Sequence, residues 1–262
     1  MKKRTGAKLG QHFLHAQWVV SAMVEAAHID ETSAVLEIGP GKGVLTKKLL
    51  EHAGVVYAIE KDSELANLLR ETFAEEIASE RLVLIEGDVR DGITEKILAR
   101  GPYTVAANIP YYITGEIIRS LLSSANQPET IALLIQKEVA QRIVAHDKKE
   151  SLLSLSVKVY GMPRLVRSVP RGCFRPAPSV DSAILTIENI SRVAFDDIDE
   201  EKFFTIAHAG FGSKRKMLAG NLKAIAPAEK ILAAFAACSI DMKARAENVP
   251  IEKWLELVKQ LG

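Results

Sequence analysis

The chain is 262 residues long, 48% hydrophobic, and carries a formal net charge of +1. That apolar content excludes a disordered chain, and no apolar run approaches the roughly 20 residues a membrane span needs. Two cysteines, Cys173 and Cys238, are too few and too distant for a disulfide framework or a cysteine zinc site, so a cytoplasmic protein is expected, either one large domain or a main domain with a smaller partner.

The near-zero charge hides an uneven distribution. No acid precedes Glu25, whereas Lys2, Lys3, Arg4 and Lys8 do. Acids are also absent from Ser151 to Val180, which carries Lys158, Arg164, Arg167, Arg171 and Arg175, and from Phe211 to Lys223, which carries Lys214, Arg215, Lys216 and Lys223. Each cluster alone reads as a solvated face. Together they point to phosphate footprints on RNA or DNA.

In chain order, residues 1 to 17 read as a basic arm with no signal-like apolar segment, ending in Gly10-Gln-His-Phe-Leu14, which docks on the body. The spacing of Trp18, Val19, Met23 and Val24 predicts a helix from Gln17 to Ala27. Val35-Leu-Glu-Ile38 reads as a strand, Gly39-Pro-Gly-Lys-Gly43 as a tight turn, and Val44 to Leu50 as the beginning of a helix. Glycines permit positive φ and close approach of a ligand to the backbone. A second strand, Val55 to Glu60, ends in a carboxylate about 20 residues after the first glycine, the spacing of a ribose-binding acid. A solvated loop acid is the alternative for Glu60.

The turn lacks the Gly-Lys-Ser/Thr ending of a P-loop, and its G-x-G-x-G pattern differs from the G-x-G-x-x-G of dehydrogenases. A nucleoside without phosphates fits better, S-adenosylmethionine being the common one. A helix from Ser63 to about Ile77 and a strand from Arg81 to Asp88 follow. Asp88 reads either as acceptor for the cofactor's adenine amino group or as a turn residue.

Tyr103-Thr-Val-Ala-Ala107 reads as a buried strand, which puts Asn108-Ile-Pro-Tyr111 just beyond a carboxyl end, where open α/β sheets bind ligands. An Asn oxygen and a neighbouring carbonyl, held by a proline that fixes φ, make a two-acceptor cradle for an exocyclic amino group. Tyr111 offers a ring for a flat base. An ordinary turn is the competing reading.

These stretches, Gly10 to Leu14, Val35 to Gly43, Glu60, Gly87-Asp88 and Asn108 to Tyr111, resemble in this order the ribosomal RNA adenine N6-dimethyltransferases. Leu134-Ile-Gln-Lys-Glu-Val139 and Phe174-Arg-Pro-Ala-Pro-Ser-Val-Asp-Ser182 resemble two further segments of that family, so the likeness covers essentially the whole chain. It implies an α/β, Rossmann-like S-adenosylmethionine-dependent methyltransferase sheet of seven strands, the last antiparallel, within residues 1–190, and a small all-helical RNA-binding domain over residues 196–262. Cofactor contacts fall on His12, Leu14, Gly39, Gly41, Glu60, Asp88 and Asn108. The catalytic residues are Asn108, Ile109, Tyr111 and Phe174, with Phe174 as a second ring opposite Tyr111 or, alternatively, a core plug.

Arg171, Arg175, Lys214, Arg215 and Lys216 are expected to bind RNA. The implied substrate is two adjacent adenosines of small-subunit rRNA in an immature ribosomal subunit, bound by a monomer. An erythromycin-resistance-type methylase of large-subunit rRNA and a non-catalytic assembly or transcription factor are the alternatives. The chain departs from the family where His12 replaces a common Asn, where Tyr112 replaces a frequent Asn, and where Ala177 interrupts a triple proline. In the helical tail, Pro227 and Pro250 mark helix starts. The six histidines show no metal-ligand spacing.

Overall fold

The structure, a computed structural model, describes residues 12–91 and 101–262. The basic residues Lys2, Lys3, Arg4 and Lys8, and Gly10 and Gln11 of the arm motif, lie outside the described residues. A two-residue strand, β1 (Phe13–Leu14), precedes helix α1 (Gln17–Ala26). Val19, Met23 and Val24 of α1 are buried, as the periodicity required, with Val20 beside them, but Trp18 is 41% exposed and lies under the Arg167 guanidinium instead of in the core.

Two strand–helix units and a further strand follow. They are β2 (Ala34–Ile38) with α2 (Val44–Leu50), β3 (Val55–Glu60) with α3 (Ser63–Thr72) and α4 (Ala74–Ala78), then β4 (Leu82–Glu86). The single helix expected to reach Ile77 breaks at Phe73, whose φ of −116° and ψ of 35° end α3. Phe73 is buried in the core, and its ring fills the space a Cβ on Gly43 would occupy.

Further on come β5 (Thr104–Asn108), α5 (Thr114–Ser123), β6 (Thr130–Gln136), α6 (Lys137–Val144), α7 (Leu152–Lys158), β7 (Met162–Val169), β8 (Phe174–Arg175) and β9 (Ser182–Glu188). Seven strands form one sheet in the order β4-β3-β2-β5-β6-β9-β7. The pairs from β4 to β6 are parallel, and β9 runs antiparallel to β6. Ile131 to Ile135 of β6 are all fully buried, as a strand covered on both faces requires. The order reverses at β2, which has β3 on one side and β5 on the other. The crevice beyond the carboxyl ends of β2 and β5 is therefore the topological switch point, where such sheets bind ligands.

Contacts divide the chain into two compact units: one running to Ala140 and resuming over Arg164–Glu188, the other comprising Gln141–Pro163 and Asn189–Gly262. The resemblance placed residues 141–163 with the sheet, but their partners lie in the helical part. The Glu150 carboxylate accepts from Ser154 Oγ and Lys158 Nζ, both at 2.6 Å, while its amide donates to the Glu247 carbonyl at 2.7 Å. The Tyr160 ring packs on Phe195 and Phe204, with centroids 5.2 and 6.4 Å away.

The helical unit also holds α8 (Glu200–Gly210), α9 (Leu218–Leu222), α10 (Ala228–Ala237) and α11 (Ile251–Leu261). Asp199 caps α8 by accepting from the Lys202 amide at 2.8 Å. Pro227 and Pro250 stand immediately before α10 and α11. Trp254 is fully buried and stacks on Phe211. No helix among the described residues is long and apolar enough to cross a membrane.

Candidate active site

A cleft open to solvent occupies the switch point, and its lining is drawn entirely from the sheet unit. The glycine turn forms one wall. Gly39, Gly41 and Gly43 have φ of 68°, 60° and 77°, the left-handed region that side chains avoid. The Gly39 amide donates to the Ile59 carbonyl at 2.9 Å, which ties the turn to β3. Lys42 lies over the Phe13 ring at 4.7 Å, a position unlike that of a phosphate-binding lysine.

Glu60 ends β3 buried, with Oε2 accepting from the Gly41 amide at 3.0 Å and Oε1 from the Asp62 amide at 2.9 Å. A carboxylate oxygen has two lone pairs, so each keeps one for a ribose hydroxyl. Asp62 in turn caps α3, accepting from the Glu64 amide at 3.0 Å.

Asn108 to Tyr111 form the opposite wall. Asn108 is the last residue of β5, paired with Leu134, rather than the first beyond it. Ile109 is buried and anchors the segment, and Pro110, at φ −58° and ψ 135°, turns the chain into a short helical turn over Tyr111–Ile113. The Tyr111 hydroxyl shares a 2.7 Å hydrogen bond with the buried hydroxyl of Ser182 at the start of β9. Burial raises the Tyr111 pKa, and the bond to Ser182 partly opposes that.

The arm closes the cleft. Phe13 pairs with Arg175 and Leu14 with Phe174 in a two-stranded ribbon. His12 Nδ1 donates to the Pro176 carbonyl at 2.8 Å, and its ring centroid is 6.2 Å from that of Tyr111. Arg175 of this ribbon and Arg171 just before it are exposed.

The structure thus gathers His12, Leu14, Gly39, Gly41, Glu60, Asn108, Ile109, Tyr111 and Phe174 around one cleft. Phe174 and Asp88 stand apart from the rest. Phe174 is only 2% exposed and belongs to the hydrophobic core, so it forms an apolar wall and presents no open face toward Tyr111. Asp88 is not part of the lining. Its Oδ1 accepts from the Arg90 amide and Nε, and its Oδ2 from Arg90 Nη2 and Lys61 Nζ, at 2.5 to 3.1 Å. All four lone-pair positions are engaged, and the Arg90 guanidinium holds the carboxyl far below the usual range.

Sequence reading missed Glu37 and Ser182. Glu37 lies in the cleft wall on β2, 1% exposed. Its one visible signal was an acid inside an otherwise apolar strand. Ser182 had none, because its role depends on Tyr111 arriving from a distant strand.

In the helical unit, Lys214, Arg215 and Lys216 are all exposed. The buried Asn221 amide donates to the carbonyls of Gly210 and Ser213 at 2.6 and 3.0 Å and so fixes the turn that presents them. No cluster of metal-ligating side chains occurs among the described residues.

The turn with three left-handed glycines, the buried Glu60 carboxylate that ends the next strand and the cleft at the switch point fit an S-adenosylmethionine-dependent methyltransferase of Rossmann-like fold. The chain belongs to the ribosomal RNA adenine dimethylase family, whose sequence profile matches residues 2–262. It is 41% identical to a ribosomal RNA small subunit methyltransferase A of Dehalococcoides mccartyi, over 98% of this chain and 88% of that one. It is 36% identical to the protein of the same name from Synechococcus elongatus, over 97% and 94%. Among solved structures it is similar to a dimethyladenosine transferase from Plasmodium falciparum, with TM-score 0.78 and 26% identity over 94% and 96% of the two chains. It also resembles the 23S rRNA methyltransferase ErmE, with TM-score 0.74 and 25% identity over 95% and 99%.

S-adenosylmethionine fits the residues present. Glu60 offers free lone pairs, and Gly39 and Gly41 leave the backbone open.

Proposed function

We propose that this enzyme dimethylates N6 of two adjacent adenosines in small-subunit rRNA within an immature ribosomal subunit, acting as a cytoplasmic monomer. The observation that carries this reading is the placement of Asn108-Ile-Pro-Tyr111 on the same cleft as Glu60 and the glycine turn. The curated relatives named above carry small-subunit names at up to 41% identity.

Bound S-adenosylmethionine supplies an electrophilic methyl group on a sulfonium that needs no acid to leave. The difficulty lies in the nucleophile, an amino nitrogen whose lone pair is delocalised into the adenine ring. Asn108 Oδ1 and the Ile109 carbonyl accept its two hydrogens, orient the lone pair and stabilise the positive charge that grows on nitrogen. This is alignment plus electrostatic preorganisation. Tyr111, braced by Ser182, stacks on the flipped base, and Phe174 supplies the dry wall behind it. Gly39, Gly41, Glu60, Leu14 and His12 hold the cofactor. Asp88 reaches the adenine amino group only if Arg90 or Lys61 releases it. Arg171, Arg175 and the Lys214–Lys216 turn bind phosphates.

Radiolabelled methyl transfer to immature small and large subunits tests the substrate. Incorporation into small subunits, at about four methyls per particle, is expected. Labelling of large subunits alone would overturn the assignment in favour of the ErmE-like activity.

A further inference from the structure

Tyr111 and Tyr112 are neighbours in one short helical turn, yet the fold treats them oppositely. Tyr111 lines the cleft, and its hydroxyl is tied to Ser182. Tyr112 is absent from that lining and is 77% exposed, more than any other large apolar side chain among the described residues. No hydrogen bond or ring contact holds its side chain among those residues. Side chains of such a turn fan out about 120° apart, so a ring fixed at the cleft wall leaves the next one standing outward at the rim. A single exposed ring is ordinary on a protein surface. Its place distinguishes this one, because it stands one residue from the ring that receives the flipped base.

A substrate of two adjacent adenosines supplies an occupant for that rim. Lifting one adenine into the cleft breaks its stack on the other. The second adenine, joined to the first by one phosphodiester, stays at the mouth with a bare face. A tyrosine ring can cover that face in many base orientations, because the contact needs only the base's π-surface. Tyr111 is not available for it, being occupied by the base inside.

We propose that Tyr112 is the stacking platform for the adenosine that waits while its neighbour is methylated, a role that rests on the assignment of two adjacent adenosines as substrate. The contact forms when the subunit docks and persists through methyl transfer, so it lowers the KM for the subunit and leaves kcat alone. Each adenosine waits in turn, and one ring serves both rounds.

Steady-state methylation of immature small subunits by the wild type, Tyr112→Ala and Tyr112→Phe tests this. Particles reconstituted from transcripts in which either adenosine is replaced by uridine, a weakly stacking base, complete the comparison. Tyr112→Ala is expected to raise the subunit KM roughly 5- to 150-fold with kcat unchanged. Tyr112→Phe, which keeps the ring, is expected to restore the wild-type KM. Uridine is expected to raise the KM of the wild type but to add nothing to the deficit of Tyr112→Ala, because two partners in one contact are not additive. An unchanged KM in Tyr112→Ala, a Tyr112→Phe enzyme as impaired as Tyr112→Ala, or uridine and alanine losses that simply add would each overturn the proposal. A loss shared by Tm or by cofactor affinity would also overturn it, since that marks a structural role. A wild type that labels only large subunits would overturn the substrate assignment and the proposal together.

Discussion

The glycine turn makes a quantitative prediction, because two of its glycines share a backbone conformation and differ in what surrounds them. At Gly43, φ is 77° and a Cβ would lie 2.5 and 2.9 Å from the Phe73 ring and 3.0 Å from Leu69. At Gly41, φ is 60° and the nearest atoms belong to Phe13 at 3.5 Å, an ordinary contact. A left-handed alanine costs roughly 1–2 kcal/mol at either site. Gly43→Ala adds overpacking of about 1–3 kcal/mol, because Phe73 is 5% exposed and confined by the core. With a Tm shift of about 2–4 °C per kcal/mol for a protein of this size, Gly43→Ala is expected to lower Tm by roughly 5–15 °C, and Gly41→Ala by about half that or less. Gly41 borders the cleft, so its variant loses cofactor affinity out of proportion to its stability. Scanning calorimetry with cofactor titration of both variants checks this. Equal Tm losses would refute the reasoning, showing that Phe73 yields freely.

Tyr111→Phe keeps the stacking ring but leaves the buried Ser182 hydroxyl unpaired, and urea unfolding should show a loss of about 1–2 kcal/mol while methyl transfer persists. Replacing Lys214, Arg215 and Lys216 together with Ala should leave Tm unchanged, because all three are exposed. The salt dependence of subunit binding should then flatten by about 2 in log–log slope, at ~0.7 per lost phosphate contact. Glu37 makes stability itself pH-dependent. Between its ordinary pKa near 4.5 and its folded value of about 8, the native state holds a proton that the unfolded chain has released. Raising pH through that window therefore destabilises the wild type relative to Glu37→Gln, by up to about 1.4 kcal/mol per unit. Urea melts at pH 5, 6.5 and 8 should show the gap widening; a narrowing gap would contradict it.

Local pattern made much of this architecture legible. The helix starts at Val44 and the strand spans Val55–Glu60, as the turn residues and the apolar pattern assigned, because each is set by its own neighbours. The break at Phe73 was invisible, since it arises from a ring meeting a glycine thirty positions earlier. The same holds for residues 141–163, whose membership of the helical unit rests on contacts with Glu247 and Phe195. At the site, short-range signals identified Asn108, Glu60 and the glycines. Asp88 stayed open between acceptor and turn residue because, beside its neighbour Arg90, it is engaged by Lys61 from the end of a different strand, which no local pattern announces. Phe174 looked like an open ring because burial by Leu14 and the arm is a tertiary fact. Glu37 passed as part of an apolar strand for the converse reason, its chemistry coming from desolvation alone.

The account's central claim is that Asn108 orients the acceptor amino group. The most direct measurement compares Asn108→Ala with the wild type in single-turnover methyl transfer to immature small subunits, with cofactor binding followed by calorimetry on the same preparations. A loss of at least about 10²–10³ in the methyl-transfer rate, with cofactor binding weakened but still measurable, is the predicted result. Turnover near that of the wild type would contradict it.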